Sequence, residues 1–147
     1  MRMLVFVGLL IGIAALCAGQ PASREVADKV TYQTVCGNCH AYDMVSDIRS
    51  SPEWEETIDA MIGFGAKISD EQLEAVRRHL GRTMIKVNVN TAKAGELPLP
   101  LDINDTTAQA VVKYRSEHGA FKTFDDLKKV PGINAAKLDA RKDRVVF

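Results

Sequence analysis

Two cysteines and a histidine stand close together in the segment Cys36-Gly37-Asn38-Cys39-His40. This spacing is typical of covalent c-type haem attachment, because two thiols three residues apart reach both vinyl groups of one porphyrin. The imidazole that follows can take the proximal position on the iron. We therefore predict one haem c, with thioether bonds from Cys36 and Cys39 and with His40 as an iron ligand.

Three other uses of the cysteine pair stay open. The pair could be a redox dithiol, a disulfide that closes a very small loop, or half of a zinc site. The sequence has no second cysteine pair, and His79 and His118 stand at unsuitable spacing for zinc. Haem is favoured because the motif coincides with an export signal and with the cysteine count.

The N-terminus has the composition of a secretory signal peptide. Arg2 precedes an apolar run over residues 3–16, and small residues follow up to Gly19. Cleavage near Gly19 would remove Cys17 and leave no cysteine outside the motif, so we expect an exported, periplasmic protein. Membrane attachment is expected only if this segment stays uncleaved or if Cys17 is lipidated.

Residues 20–84 carry the signals of three helices around the motif. The first helix is predicted to be capped by Ser23 and to place Val26 and Val30 on one face. The third is predicted to begin in a Ser-x-x-Gln capping box and to end at Gly81 as its C-cap.

The second helix is predicted to start at Ser51-Pro52-Glu53. Its apolar face consists of Trp54, Ile58, Met61 and Ile62. A thioether there can be the second axial ligand, since this soft donor favours ferrous iron, and we predict Met61 in that role. The alternatives are Met44, Met84 and His79, or plain core packing for Met61. We expect His79 to be a solvated surface residue.

The haem motif, the Trp54-x-x-x-Ile58-x-x-Met61 face and the Ser69-Asp70-Glu71 segment together resemble small class I monohaem cytochromes c of bacterial periplasms. The resemblance implies an electron carrier rather than an enzyme, with a protein as its redox partner. If Met61 does not bind the iron, the alternative is a five-coordinate haem sensor or peroxidase.

The remaining residues, 85–147, contain a second series of motifs. They read Val87-Asn88-Val89-Asn90-Thr91, Tyr114-Arg115, Gly119-Ala120-Phe121, Asp126-Leu127 and Val130-Pro131-Gly132-Ile133. This series resembles the tandem helix-hairpin-helix domain of the ComEA family. The resemblance implies short helices whose Gly-hydrophobic-Gly turns hold DNA phosphates through backbone N–H groups.

Local signals agree with this second domain. The predicted N-caps are Thr91, Asn104 or Asp105, Thr123 and Asn134. The predicted core contains Val111, Val112, Leu127, Val130 and Leu138, with Phe121 and Phe124 packed on it. The chain is therefore predicted to be all-α, with a signal peptide at 1–19, a cytochrome domain at 20–84, a helix-hairpin-helix domain at 85–147 and a short, stiff junction.

Both hairpin turns depart from the Gly-hydrophobic-Gly pattern. The first reads Asp102-Ile103-Asn104 and is followed by Asp105, so carboxylates would repel an approaching phosphate. The second replaces its last glycine by an asparagine. Nearby lysines could bind DNA or a partner, or could simply be a solvated helix face. The predicted contact set is Gly132, Ile133, Asn134, Lys128, Lys129 and Lys137.

Charge is distributed unequally between the halves. Residues 20–84 have seven Lys/Arg and eleven Asp/Glu, a net charge of −4, whereas residues 85–147 have eleven and eight, a net charge of +3. Because the whole chain is neutral, no bulk attraction to nucleic acid or anionic lipid is expected. We predict that the basic half docks the cytochrome on a partner, and the alternative is a periplasmic DNA-binding protein that carries a haem domain.

Overall fold

The computed structural model describes residues 21–44 and 46–147. The predicted signal peptide and Cys17 therefore lie outside the described residues. Within the described ranges, no helix combines the length and the apolar character needed to cross a membrane.

Three α-helices form the N-terminal half: α1 (Pro21–Cys36), α2 (Ser51–Gly63) and α3 (Asp70–Thr83). The N-cap of α2 is Ser50, one residue before the predicted start, and its backbone N–H donates to the Glu53 carboxylate at 2.7 Å. α3 begins in the predicted capping box, where the Gln72 N–H donates to the Ser69 hydroxyl at 3.3 Å. Both starts are therefore local features of the sequence.

α1 packs through residues other than Val26 and Val30. Ser23 is the third residue of the helix instead of its cap, and Val26 and Val30 are exposed. The face that packs against α3 buries Asp28 and Tyr32. Val26 and Val30 share one face of the helix, as their spacing predicts, but this face is exposed.

Asp28 is buried because α3 supplies two guanidinium groups to its carboxylate. Arg78 Nη2 and Arg82 Nη1 each lie 2.7 Å from an Asp28 oxygen, and only 2% of Asp28 is exposed. A charge can be buried at tolerable cost when it is paired and hydrogen-bonded in this way.

His79 is buried too, which corrects the prediction of a surface residue. Its ring stacks on Tyr32 with centroids 4.7 Å apart, and only 8% of it is exposed. The surface of α3 that packs against α1 therefore extends beyond the apolar residues of α3.

α3 continues through Gly81 and ends at Thr83, so Gly81 is not a C-cap. A Cβ at Gly81 would lie 2.8 Å from Leu99 Cδ1. This glycine therefore allows a close approach between α3 and the second half of the chain.

The second half contains four more α-helices and two short parallel strands: β1 (Val87–Asn88), α4 (Pro98–Leu101), α5 (Asp105–His118), α6 (Phe124–Lys128), α7 (Ala135–Asp139) and β2 (Val145–Val146). Val87 pairs with Val145, and Asn88 pairs with Val146. The fold is mostly helical, but this small sheet departs from the all-α prediction.

Most of the predicted core and caps of this half are confirmed. Asn104, Thr123 and Asn134 each accept a hydrogen bond from the backbone N–H three residues on. Thr91 is not a cap, because the helical turn that follows it begins at Ala94 and has Lys93 as its N-cap. The buried residues include the predicted Val111, Leu127, Val130, Leu138 and Phe121, and Val112 and Phe124 are partly buried against them.

The two halves are in direct contact at the end of α3. Arg141 Nη1 and Arg144 Nη1 both donate to the Arg82 carbonyl at 2.6 Å, and Arg144 also donates to the Thr83 carbonyl. The last carbonyls of a helix have no partner within it, so these arginines satisfy groups that would otherwise need water. Hydrogen bonds from residues near the C-terminus thus stabilise the predicted short junction between the two halves.

Asp28→Asn is predicted to destabilise the fold by about 3 kcal/mol, because it leaves two arginines without their buried anion. Denaturant unfolding of the mature chain measures this cost. The matched control is Glu55→Gln, which breaks the more exposed pair with Arg77 and should cost at most about 1 kcal/mol. Similar costs for the two variants would contradict this account of the buried face.

The carboxylate of Asp28 should also make the folded protein less stable in acid. Burial raises the pKa of Asp28, but the hydrogen bonds from Arg78 and Arg82 outweigh it, and the net pKa lies below the ordinary 3.8. The stabilisation is therefore present above the ordinary value and lost as pH falls through the folded one. In Asp28→Asn, the free energy of unfolding measured by denaturant titration should therefore fall less steeply as the pH is lowered below 3.8.

Candidate functional site

A cavity of about 340 Å³ in the N-terminal half is shared by the residues of the Cys-x-x-Cys-His motif and by α2. Ligand sites typically have volumes of roughly 300–1,000 Å³ and mostly apolar walls. The walls here are mainly aliphatic and aromatic, and the four apolar residues predicted for one face of α2 all line it. The cavity is therefore suited to an apolar group.

Cys36 ends α1, and Cys39 and His40 follow in the turn after it. All three line the cavity. His40 Nδ1 lies 3.0 Å from the Ala41 carbonyl. A carbonyl only accepts, so a hydrogen bond here requires a proton on Nδ1 and leaves Nε2 as the nitrogen that could bind a metal. Histidines that bind metals are commonly oriented by such a backbone contact.

Met61 lines the same cavity from α2. The alternative ligands do not: Met44 is largely exposed, Met84 packs against the small core of this half, and His79 stacks on Tyr32. Among the methionines that the structure describes, Met61 alone reaches the cavity.

The residues present fit a haem c. Both thiols lie at the wall, one imidazole has a free nitrogen, and a soft thioether lies on another element around the same space. Phe64, which follows α2, also lines the cavity and is 85% exposed. A large apolar side chain in contact with water at a cavity mouth suggests that a further apolar group covers it.

The alternatives for the cysteine pair find less support in this geometry. Burial raises the pKa of the Cys36 thiol, whereas redox dithiols usually depend on a lowered thiol pKa. Both cysteines are free thiols. Among residues 21–44 and 46–147, no group of three or more His, Cys, Asp or Glu is arranged to hold a metal ion.

The two hairpin turns lie side by side in the second half. Asp102 adopts the left-handed conformation (φ 53°, ψ 49°), which aspartate tolerates better than most residues, and so keeps the first turn without glycine. Gly132 has φ 89°, and a Cβ there would lie 2.8 Å from the Thr107 hydroxyl of α5. The second turn therefore needs its glycine both for conformation and for space.

Each predicted lysine contact on the hairpins already has a carboxylate partner. Lys128 Nζ lies 2.8 Å from Asp139, Lys129 Nζ lies 2.8 Å from Asp126, and Lys137 Nζ lies 3.2 Å from Asp102. The last pair links the two hairpins. A phosphate at this face would have to displace these carboxylates.

Comparison with known proteins concerns the second half. Residues 83–146 match the helix-hairpin-helix motif family. These residues form a helix-hairpin-helix domain. The residues that line the cavity lie outside this matched range.

Three relatives illustrate the similarity. An uncharacterized protein of Haemophilus influenzae is 41% identical over 63 residues, which are 42% of this chain and 56% of that protein. ComE operon protein 1 of Bacillus subtilis is 36% identical over 59 residues, 40% of this chain and 29% of that protein. The human endonuclease/exonuclease/phosphatase family domain-containing protein 1 is 38% identical over 60 residues, 41% of this chain and 10% of that protein.

The chain thus spans about half of the Haemophilus relative and a smaller share of the other two. No solved structure matches the chain.

Several residues that build these sites were missed in the sequence. Tyr32 lines the cavity, and its position four residues before Cys36 on one helix could have indicated this. Asn90 binds both backbone groups of Phe121, its Oδ1 accepting at 2.8 Å and its Nδ2 donating at 2.9 Å. Arg115 donates to the Val89 carbonyl at 2.6 Å. No local sequence pattern indicates that Asn90 binds Phe121 or that Arg115 binds Val89.

In haem-free chain, Cys39 should be alkylated several-fold faster than Cys36 at neutral pH, because Cys39 is exposed and burial raises the pKa of Cys36. Iodoacetamide kinetics followed by mass spectrometry measure both rates. The single variants Cys36→Ser and Cys39→Ser assign each rate to its thiol. A faster reaction at Cys36 would contradict the described position of that thiol.

Proposed function

We propose that this chain is an exported monohaem c-type cytochrome that transfers electrons, with the helix-hairpin-helix domain docking it to a redox partner. The cavity shared by Cys36, Cys39, His40 and Met61 is the observation that carries the proposal. Three of these residues are neighbours in sequence, and the fourth comes from the following helix. Export is proposed from the signal-peptide composition of residues 1–19.

Each of these residues has its own role in the proposal. Cys36 and Cys39 would hold the haem through thioether bonds, and His40 Nε2 and Met61 Sδ would bind its iron. The bound group would supply reversible one-electron exchange between ferrous and ferric iron. The apolar walls would exclude water, and Trp54 and Leu80, which are buried in the core of this half, would keep them rigid.

Expression with a haem-maturation system should give coloured protein whose mass exceeds the mature peptide by one haem. Its pyridine haemochrome spectrum should be that of a haem with two thioethers, and Cys36→Ala/Cys39→Ala should bind none covalently. The same mass reports cleavage near Gly19. Colourless mature protein from a competent host would contradict the cytochrome proposal.

The Met61 ligand is tested in the ferric protein, which should show a sulfur-to-iron charge-transfer band. Met61→Ala should lose this band, and Met44→Ala is the matched control that should keep it. Ferrous wild type should not bind carbon monoxide if His40 and Met61 both bind the iron, as proposed. Rapid carbon monoxide binding by the wild type would instead support the five-coordinate haem sensor or peroxidase.

A second candidate function is ComEA-like DNA binding by the helix-hairpin-helix domain. The comparisons favour it more directly than electron transfer, because they concern residues 83–146 and include ComE operon protein 1. The ion pairs on the hairpins oppose phosphate binding. Exposed ion pairs are weak because water screens them, however, so a polyanion could displace them. Binding is therefore expected to be weak, independent of sequence and sensitive to salt.

A gel-shift titration of the mature protein with duplex DNA tests this function. Lys128→Glu/Lys129→Glu should weaken binding, and the salt slope should fall by about 0.9 for each phosphate that the variant no longer neutralises. Lys93→Glu/Lys113→Glu makes the same charge change outside both turns and should have less effect. Absence of a shift at low salt would remove DNA binding and leave a protein-docking role for the domain.

A further inference from the structure

His79 has a position that the proposed axial ligands do not explain. The chain has three histidines: His40 lines the cavity, and His118 lies exposed on α5. The imidazole of His79 lies behind Tyr32, with ring centroids 4.7 Å apart and planes inclined by 29°. Tyr32 itself lines the cavity, so a single aromatic ring separates His79 from it.

The surroundings of His79 make its charge sensitive to other charges nearby. It is buried between α1 and α3, where the low polarisability of the surroundings strengthens electrostatic interactions. Because 8% of His79 stays exposed, a proton from water can reach its imidazole. Asp28, the nearest buried carboxylate, is already paired with two arginines of α3.

The groups that face His79 come from α1 and from its own helix. Burial lowers the pKa of His79 below the ordinary 6.5, and the positive charges of Lys29 and Arg82 lower it further, whereas Asp28 and Glu25 oppose this. The titratable and charged groups around it are Glu25, Asp28, Lys29, Tyr32, Arg78 and Arg82.

We propose that His79 is a redox-linked protonation site, which binds one proton from water when the cytochrome half accepts one electron from a donor protein and releases it on oxidation. Reduction removes one positive charge from the cavity, so an imidazolium behind Tyr32 is repelled less. The pKa of His79 is therefore higher in the reduced than in the oxidised protein. This inference rests on the proposed electron-transfer function and adds proton coupling to it.

The test is the midpoint potential of the haem-loaded mature protein, measured by spectroelectrochemistry over roughly pH 4–8. Reduction coupled to one proton makes the potential fall as pH rises, by up to about 59 mV per pH unit. The slope should lie below pH 6.5, since burial lowers the pKa of His79, and the profile should be flat above it. His79→Phe keeps an aromatic ring beside Tyr32 but cannot titrate, so its profile should lack this slope.

His118→Gln is the matched control, because His118 stacks on Tyr114 in the other half and should leave the profile unchanged. His79→Gln repeats the test if the phenylalanine variant fails to fold. NMR titration of the His79 ring protons gives a second readout, with a higher pKa expected in the ferrous than in the ferric protein.

Two results would overturn the inference while leaving electron transfer intact. One is a coloured wild type whose potential does not change with pH. The other is a slope that persists in both His79 variants, which would assign the proton to another group. A colourless preparation overturns the cytochrome proposal itself and this inference with it.

Discussion

The carbonyl groups at the end of α3 accept hydrogen bonds from both halves of the chain. A helix leaves its last carbonyls without intrahelical partners. Here Arg141 and Arg144 donate to the carbonyl of Arg82, and Trp54 Nε1 donates to that of Met84 at 3.0 Å. Trp54 also lines the cavity, and the arginines follow α7. The wall of the cavity and the helix-hairpin-helix domain are therefore anchored at the same place.

The halves differ in how complete their cores are. The helix-hairpin-helix domain has a continuous core of buried aliphatic side chains around Leu97, Val111 and Leu127. The N-terminal half buries few large residues, and beside them lies an apolar cavity with an exposed phenylalanine at its mouth. A small domain buries too little surface to tolerate such a gap easily. A covalently attached apolar cofactor would complete this core, as the cytochrome proposal requires.

The hairpins show how a domain can keep its fold while the chemistry of its surface changes. Asp102 adopts the left-handed conformation, so this turn forms without a glycine. Its carboxylate then pairs with Lys137 on the other hairpin. A phosphate that approached this turn would therefore meet an ion pair. Phosphate binding is favoured instead by exposed backbone N–H groups and by lysines without a carboxylate partner. The fold itself leaves open whether this face binds nucleic acid or protein.

Local chemistry was readable from the sequence alone. The Cys-x-x-Cys-His spacing, the apolar face of α2 and the helix caps depend on residues within a few positions of one another. The structure confirms the caps Asn104, Thr123 and Asn134, and it places the apolar face of α2 at the same cavity as the motif. Only the tertiary structure decided that Asp28 and His79 are buried, that Gly81 is a point of contact and that β1 pairs with β2. Each of these features depends on a partner distant in the chain, because burial of a charge or close packing of a glycine is determined by the element that lies against it.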